Sequence, residues 1–265
     1  MNYQQQIESQ SIKGIFIIDA LLDVERKICY YHRPKVASLS ILKAFYASKN
    51  MLEKAYSDLN KKNRGWLHLY RSPTWYGHAK GVVPYFPTEQ ASLQHFEDPL
   101  YKNIFFVRNV YDRAISCFNQ FKVWMDCGFV GPSLPNWENY TFNDYLDLLC
   151  DPVPLPHPSL RNVFLHAVPQ VIPYPPHYKT EQEIIKNIDH LIFLEDILRS
   201  DFEFEKYNIP FNKKYFEKGS SPHHVLSGRK WEIYEQNKGS REKVEHIWKS
   251  DLEILKTTWE EFLKL

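Results

Sequence analysis

The stretch that decides the fold is residues 31–40, which read YHRPKVASLS. It joins an apolar run, Ile28–Tyr31, to a segment in which apolar residues recur at helical spacing. Pro34 has no backbone N–H and biases the residue before it towards extended geometry, so the predicted strand ends there. The predicted helix begins near Ser38–Ser40, which leaves Lys35 in the loop between strand and helix. Helix N–H groups at the carboxyl edge of a sheet can bind an anion, so Lys35 is a candidate anion ligand.

A second stretch, residues 106–116, repeats this arrangement with the letters FVRNVYDRAIS. The apolar run Ile104–Val107 predicts a buried strand, and Tyr111–Met125 has the periodicity of a helix. Arg108 follows the strand directly, and Ser116 lies about two helical turns further on. Two strand-to-helix loops of this kind predict a parallel α/β sheet that binds a ligand with two anionic groups.

Length and composition favour a single α/β domain with a central, mainly parallel sheet flanked by helices. The chain has 265 residues, of which 43% are hydrophobic, enough for one large core. We expect an N-terminal extension over residues 1–25 and the domain over 26–265, with a Pro-rich insertion at about 150–178. Such long irregular segments are usually functional loops. With only 9 glycines, a Gly-rich dinucleotide loop is not expected.

Charge and targeting signals exclude several classes of function. The 33 basic and 32 acidic residues give a net charge of +1, so neither nucleic acid nor a membrane surface is an expected partner. No signal peptide or membrane span is visible, which predicts a soluble, cytoplasmic protein. The four cysteines form no CxxC pair, and no spacing resembles a zinc site, so free thiols and no metal are expected.

Further elements follow from periodicity and capping signals. The sequence predicts a helix over residues 88–99, a loop and helix over 136–149, and a strand over 190–194. It also predicts a helix over 195–207 and a single long amphipathic helix over 240–265. Additional candidates are a strand over 66–70 and a helix beginning at Glu181 behind a capping box.

The residues alone leave two roles open for each anion candidate. Lys35 could meet a phosphate or sulfate, or be an exposed lysine of a turn. Arg108 and Ser116 could share one phosphate. Alternatively, Arg108 pairs with Asp112 at the surface, and the Ser116 hydroxyl bonds to its own backbone.

Two histidines are candidates for a general base. His78 lies between two glycines, and His166 begins the segment HAVPQ. An imidazole titrates near neutral pH and can accept a proton from a hydroxyl group. With eleven histidines in the chain, most are expected to be structural. The sequence contains no hydrolase nucleophile elbow.

Taken together, residues 33–40 and 106–116 resemble the two cofactor motifs of sulfotransferases. The resemblance is closest to the carbohydrate branch, called sulfotransferase family 2. Its first motif, roughly P-K-x-A-[GS]-T-S, binds the 5′-phosphosulfate of PAPS (3′-phosphoadenosine 5′-phosphosulfate). Its second, roughly F-x-R-[DN]-P-x-x-R-x-x-S, binds the 3′-phosphate. Weaker similarities in the family's order are found at residues 77–79, 166–170, 193–201 and 248–252.

The resemblance implies a P-loop-NTPase-like fold and a PAPS-dependent sulfotransferase that needs no metal. A sulfuryl group would pass in line from PAPS to a hydroxyl of an acceptor, expected to be a glycan or small glycoside. Lys35 would stabilise the leaving phosphate, and His78, or alternatively His166, would be the base. The residues implied in cofactor binding are Lys35, Val36, Ala37, Ser38, Leu39, Ser40, Arg108, Ser116, Arg229 and Lys230.

Two departures from the family pattern keep other functions open. Leu39 stands where the family has Thr, which removes a hydroxyl from the phosphate loop, and Val110 replaces the Pro at the helix start. One alternative is a catalytically degenerate module that binds PAPS or another nucleotide. The other is a nucleotide-dependent phosphotransferase, but the G-x-x-x-x-G-K-[ST] loop expected for it is absent from the sequence.

Overall fold

The computed structural model describes residues 19–23, 25–32, 35–50, 82–85, 96, 98–126, 136–150, 167, 169–171, 185–216 and 230–265. Within these residues, five strands form one sheet with the spatial order β3-β1-β2-β4-β5. The strands are β1 (Asp19–Asp23), β2 (Ile28–His32), β3 (Val82–Tyr85), β4 (Lys102–Val107) and β5 (His190–Phe193).

The sheet is mainly parallel, as predicted. Strands β2 and β4 pair in parallel, as do β4 and β5. Strand β1 is antiparallel to both β2 and β3, so four strands run in one direction and β1 runs in the other. The carboxyl ends of β2, β4 and β5 therefore lie at the same edge, where His32 pairs with Phe106 and Val107 pairs with Phe193.

Helices flank this sheet, which confirms the predicted α/β class. The described α-helices are α1 (Ser38–Ser48), α2 (Val110–Asp126), α3 (Phe142–Cys150), α4 (Leu194–Ile197), α5 (Glu232–Gln236), α6 (Ser240–Ile247), α7 (Lys249–Leu255) and α8 (Trp259–Phe262). Short 3-10 helices cover Trp137–Asn139, Phe204–Tyr207 and Lys213–Tyr215.

Alternate residues of the central strands face two separate cores. On one side, Tyr31 stacks on Phe105 with ring centroids 4.5 Å apart, in a core shared with α2, α3 and the C-terminal helices. On the other, Tyr30 and Phe106 pack against α1 and the 204–216 segment. Burial of both faces explains why β2 and β4 are continuous apolar runs rather than alternating ones.

Strand β1 lies within the residues that the sequence assigned to an N-terminal extension. Its five residues pair along their full length with β2, from Asp19 opposite His32 to Asp23 opposite Ile28. Lys27 in the connecting turn has a positive φ of 57°, the left-handed conformation that tight hairpin turns use. Within the part of the chain that the structure describes, the sheet therefore begins at Asp19.

The predicted helix over 195–207 is wrong as a continuous element. Helix α4 ends at Ile197, and the next helical turn, a 3-10 helix, begins at Phe204. Phe202 and Phe204 both pack in the second core with ring centroids 5.0 Å apart. Residues two apart face different sides of an α-helix, so this packing requires an irregular chain between the two turns.

The predicted single helix over 240–265 is also wrong, because three short helices occupy this region. Helix α6 ends where the Trp248 indole turns inward and donates to Ala167 O at 2.6 Å. Helix α7 ends at Leu255, and the next residue, Lys256, has a left-handed φ of 55°. Thr258 and Glu261 then form a capping box that begins α8.

Several predicted elements lie largely outside the described residues. They are the strand over 66–70, most of the helix over 88–99, the helix start at Glu181 and most of the Pro-rich insertion. Among the described residues, no helix has the length and apolar character required to cross a membrane.

Candidate anion-binding site

The loop after β2 has an unusual backbone. Lys35 has a φ of 73°, and Ala37, the residue before α1, has a φ of 62° and a ψ of 33°. This left-handed conformation costs non-glycine residues about 1–3 kcal/mol. Left-handed residues in such loops can turn successive N–H groups to one side and form an anion-binding concavity. Val36 between them is buried in the second core, which holds the loop in place.

The Lys35 ammonium is enclosed but has a neutral partner. Its Nζ donates to the Gln120 Oε1 atom of α2 at 3.1 Å. Burial lowers the pKa of Lys35 to about 8, and the charges of Arg108 and Arg113 act in the same direction. Among the described residues, the hydrogen-bond partner of the predicted catalytic cation at the carboxyl edge of the sheet is therefore an amide.

Arg108 brings the two predicted stretches into contact. It follows β4, and its Nη1 donates to the Lys35 carbonyl oxygen at 3.2 Å. Its Nε donates to Asp112 Oδ2 at 2.8 Å. The Asp112 pairing that the sequence left open is thus present, but it is not a surface pair, because the Arg108 side chain is only 16% exposed.

Asp112 joins a third predicted residue to this cluster. Its Oδ1 accepts from Lys230 Nζ at 2.9 Å. Burial alone would raise the pKa of Asp112, but the charges and hydrogen bonds of Arg108 and Lys230 hold it below the ordinary range. Asp112 also lies in the first turn of α2, where the helix dipole favours a negative charge.

Some of the remaining predicted site residues lie in the part of the chain that the structure describes, and others do not. Ser38 and Ser40 are buried in the first turn of α1. Ser116 is half-buried on α2, eight residues beyond Arg108. The backbone of Leu39 lies in α1, while its side chain is outside the described residues, as are His78, His166 and Arg229.

Glu195 is a further acidic group at this edge. It follows β5, and its Oε1 accepts from the Asn109 backbone N–H at 3.0 Å. Burial raises the pKa of Glu195, and the nearby positive charge of Arg108 opposes that shift. The segments that follow β2, β4 and β5 therefore all supply charged side chains to one site.

Sequence reasoning did not assign roles to Gln120 and Asp112 in this site. The Asp112 pairing had a local signal, because a carboxylate four residues after Arg108 faces it along the helix. Gln120 had none, since its contact with Lys35 spans 85 residues. The described residues contain no group of three or more metal-ligating side chains that could hold a metal ion.

Comparison with known proteins adds no assignment to this site. No protein-family model, curated protein or solved structure matches the chain. The function of the cluster must therefore be inferred from its own geometry and chemistry.

Asp112→Asn is expected to lower the free energy of unfolding by ~2 kcal/mol at pH 7, because it removes a buried charge that two cations share. Urea titration measures the loss. The folded-state pKa of Asp112 is depressed, so its stabilisation is present above pH ~4 and is lost as pH falls through the folded pKa. The matched control is Asp196→Asn, which removes an exposed pair with Arg199 and should cost at most ~0.5 kcal/mol. Equal losses of unfolding free energy in Asp112→Asn and Asp196→Asn would contradict the stabilising role of the buried Asp112 charge.

Proposed function

We propose that the protein is a PAPS-dependent sulfotransferase that transfers a sulfuryl group to a hydroxyl of a carbohydrate acceptor. The observation that carries the proposal is the hydrogen bond from Arg108 Nη1 to Lys35 O. A bipartite cofactor with 5′ and 3′ anionic groups requires its two binding motifs to lie side by side. The parallel pairing of β2 with β4, together with the loop and helix α1 that follow β2, supports a P-loop-NTPase-like sulfotransferase fold as part of the proposal.

The charge state of Lys35 supports an anionic ligand. Burial beside a neutral amide disfavours the charged ammonium and lowers the pKa of Lys35 to about 8. A phosphate or sulfate bound beside Lys35 would favour the charged form. Arg108 has a guanidinium fork suited to a second phosphate, although its Nε is held by Asp112.

The proposed reaction divides the work among the chain's residues. PAPS supplies the activated sulfuryl group. Lys35 stabilises the negative charge that grows on the phosphate oxygen as the S–O bond breaks, and the N–H groups at the start of α1 add to this effect. A histidine, His78 or His166, accepts the proton from the acceptor hydroxyl as its oxygen bonds to sulfur. Arg108, with Ser116 and Lys230, holds the 3′-phosphate.

Ligand-dependent stability tests the proposal directly. A thermal-shift comparison uses PAP (adenosine 3′,5′-bisphosphate, the product), ATP with Mg²⁺, and adenosine. At 100 times its Kd, PAP should add about 2.7 kcal/mol to the free energy of unfolding. ATP with Mg²⁺, or adenosine, at the same concentration should add less. No shift with PAP would overturn the proposal, and a larger shift with Mg²⁺-ATP would favour a phosphotransferase. Binding of PAP without turnover on a panel of glycosides would favour a degenerate module.

Arg108→Ala is expected to weaken PAP binding about tenfold or more, because charge-assisted hydrogen bonds to the 3′-phosphate are lost. Binding of AMP, which lacks that phosphate, should change little. Isothermal titration well below the unfolding temperature measures both affinities. Arg199→Ala, at a position with a 71% exposed side chain, is the control. Equal losses for PAP and AMP would contradict the assignment of Arg108 to the 3′-phosphate.

A further inference from the structure

The peptide backbone of Arg108 is held by the side chain of Gln170. The Gln170 Oε1 accepts from the Arg108 N–H at 2.7 Å, and its Nε2 donates to the Arg108 carbonyl oxygen at 2.9 Å. Gln170 is only 2% exposed. Its amide thus takes both backbone hydrogen bonds of Arg108, as a neighbouring strand would.

Gln170 is itself fixed from the C-terminal helices. Its backbone N–H donates to both carboxylate oxygens of Asp251, at 2.7 and 2.9 Å. The N–H of Val171 reaches the same carboxylate at 3.4 Å. Trp248 anchors the same segment by donating to Ala167 O. Trp248 and Asp251, both in the C-terminal region, therefore hold the segment that carries Gln170.

This support matters because Arg108 lies just beyond the sheet. The parallel pairings of β4 end at Val107, so the ladder does not fix the next peptide. A small rotation of the Arg108 peptide would swing its long side chain away from a bound anion. Misplacement by about 1 Å can cost 10²-fold in an enzyme. The Gln170 amide bonds to the Arg108 backbone and therefore occupies none of the guanidinium N–H donors.

We propose that Gln170 is a positioning residue that aims the Arg108 guanidinium at the 3′-phosphate of the cofactor. The inference rests on the proposed function, since it takes that phosphate as the ligand of Arg108. It assigns no contact between Gln170 and the cofactor. Asp251, through its bonds to the Gln170 and Val171 N–H groups, holds Gln170 in place.

The test is Gln170→Met, which keeps the side-chain length and removes both hydrogen bonds. The preference for PAP over AMP should fall about tenfold in titrations, and the KM for PAPS should rise more than kcat falls. The matched control is Asn103→Leu at the amino end of the same strand. The Asn103 amide also donates two hydrogen bonds, a buried one to Phe96 O and a part-buried one to Asn187 O, at the opposite end of β4 from Arg108. The Asn103→Leu variant should lower the free energy of unfolding and leave the preference for PAP over AMP unchanged.

A double-mutant cycle separates positioning from a general structural effect. If Gln170 acts through Arg108, adding Gln170→Met to Arg108→Ala should cause no further loss of PAP preference. An additive loss would overturn the inference. Should Gln170→Met fail to fold, Gln170→Asn keeps an uncharged amide but shortens its reach by one methylene, which weakens both bonds to the Arg108 backbone; the preference for PAP over AMP should then fall by a smaller factor.

The outcomes distinguish the inference from the proposed function. If Arg108→Ala abolishes the PAP preference and the Gln170 variants keep it, the positioning role is overturned and the function stands. If the unchanged protein does not prefer PAP to AMP, both are overturned.

Discussion

Replacing Lys35 with methionine is expected to lower kcat at least ~10²-fold, because charge on the leaving phosphate loses its principal stabilising cation. Binding of PAP should weaken less, since Arg108 and the start of α1 remain. The same variant should raise the free energy of unfolding at pH 7 by ~2 kcal/mol, because the fold no longer encloses an ammonium beside a neutral amide. Methionine keeps the positive φ and the side-chain length, so the comparison isolates the charge.

The pH dependence gives this prediction a definite sign. The pKa of Lys35 is about 8 in the fold against 10.5 unperturbed. Between these values the unfolded chain binds more protons, so the stability of the unchanged protein rises with pH there. The stability advantage of the variant should be full below pH ~8 and vanish by pH ~10.5. The kcat/KM of the unchanged protein should also fall above pH ~8 as free Lys35 loses its proton.

Lys49 provides a matched control with the opposite expected stability effect. Its ammonium is also enclosed, but it pairs with Asp23 and Glu25 at 2.9 Å, beyond the other end of α1. Lys49→Met should therefore destabilise the fold and leave kcat unchanged. A Lys35→Met variant with unchanged kcat would remove Lys35 from the mechanism, and one that is less stable at pH 7 would contradict its unfavourable burial.

The core of the fold could be predicted because its signals are local. Strand β2 ends at His32, close to the end that Pro34 predicts in the sequence. Apolar spacing predicts α1, which begins at Ser38, and β4 is an apolar run bounded by polar residues. Hydrophobic periodicity encodes these elements within a dozen residues. The helix breaks at Trp248 and Lys256 were missed because amphipathic spacing continues across them. Inward packing of the Trp248 indole overrides that spacing, and no local signal reports it.

The candidate site could be predicted only as far as its strand-to-helix loops. Lys35 and Arg108 were assigned to one edge because parallel strands end together. The polar partners that orient them, Gln120 and Gln170, come from contacts across 85 and 62 residues. Residue type alone could not identify them, because a glutamine on a helix or in a loop is usually solvated. The sequence thus predicts which groups would bind an anion, while the geometry shows which groups hold those side chains in place.

The largest stability effect is expected for Asp251→Ala. This carboxylate is fully buried, accepts from the Gln170 and Val171 N–H groups, and lies 3.7 Å from the Arg113 guanidinium. Asp251→Ala leaves the buried Arg113 guanidinium and two buried N–H donors without this carboxylate. The free energy of unfolding, measured with urea at pH 7, should therefore fall by ~3–5 kcal/mol. Asp251→Asn provides a second measurement should the alanine variant fail to fold.

The Asp251–Arg113 pair as a whole should contribute much less to the free energy of unfolding than the expected loss in Asp251→Ala suggests. Burial raises the pKa of Asp251 despite the opposing effects of Arg113 and the two N–H donors, so the ionised form is costly to hold in the fold. Between the ordinary pKa and the raised one, the folded state binds more protons, and stability falls as pH rises through that window. The double variant Asp251→Leu/Arg113→Leu removes both charges and should be less destabilised than Asp251→Ala. If the double variant instead loses as much unfolding free energy as the Asp251→Leu and Arg113→Leu variants lose together, the two charges are not coupled. Asp251 would then stabilise the fold only through the Gln170 and Val171 N–H groups, the same contacts that hold the Arg108 loop in place.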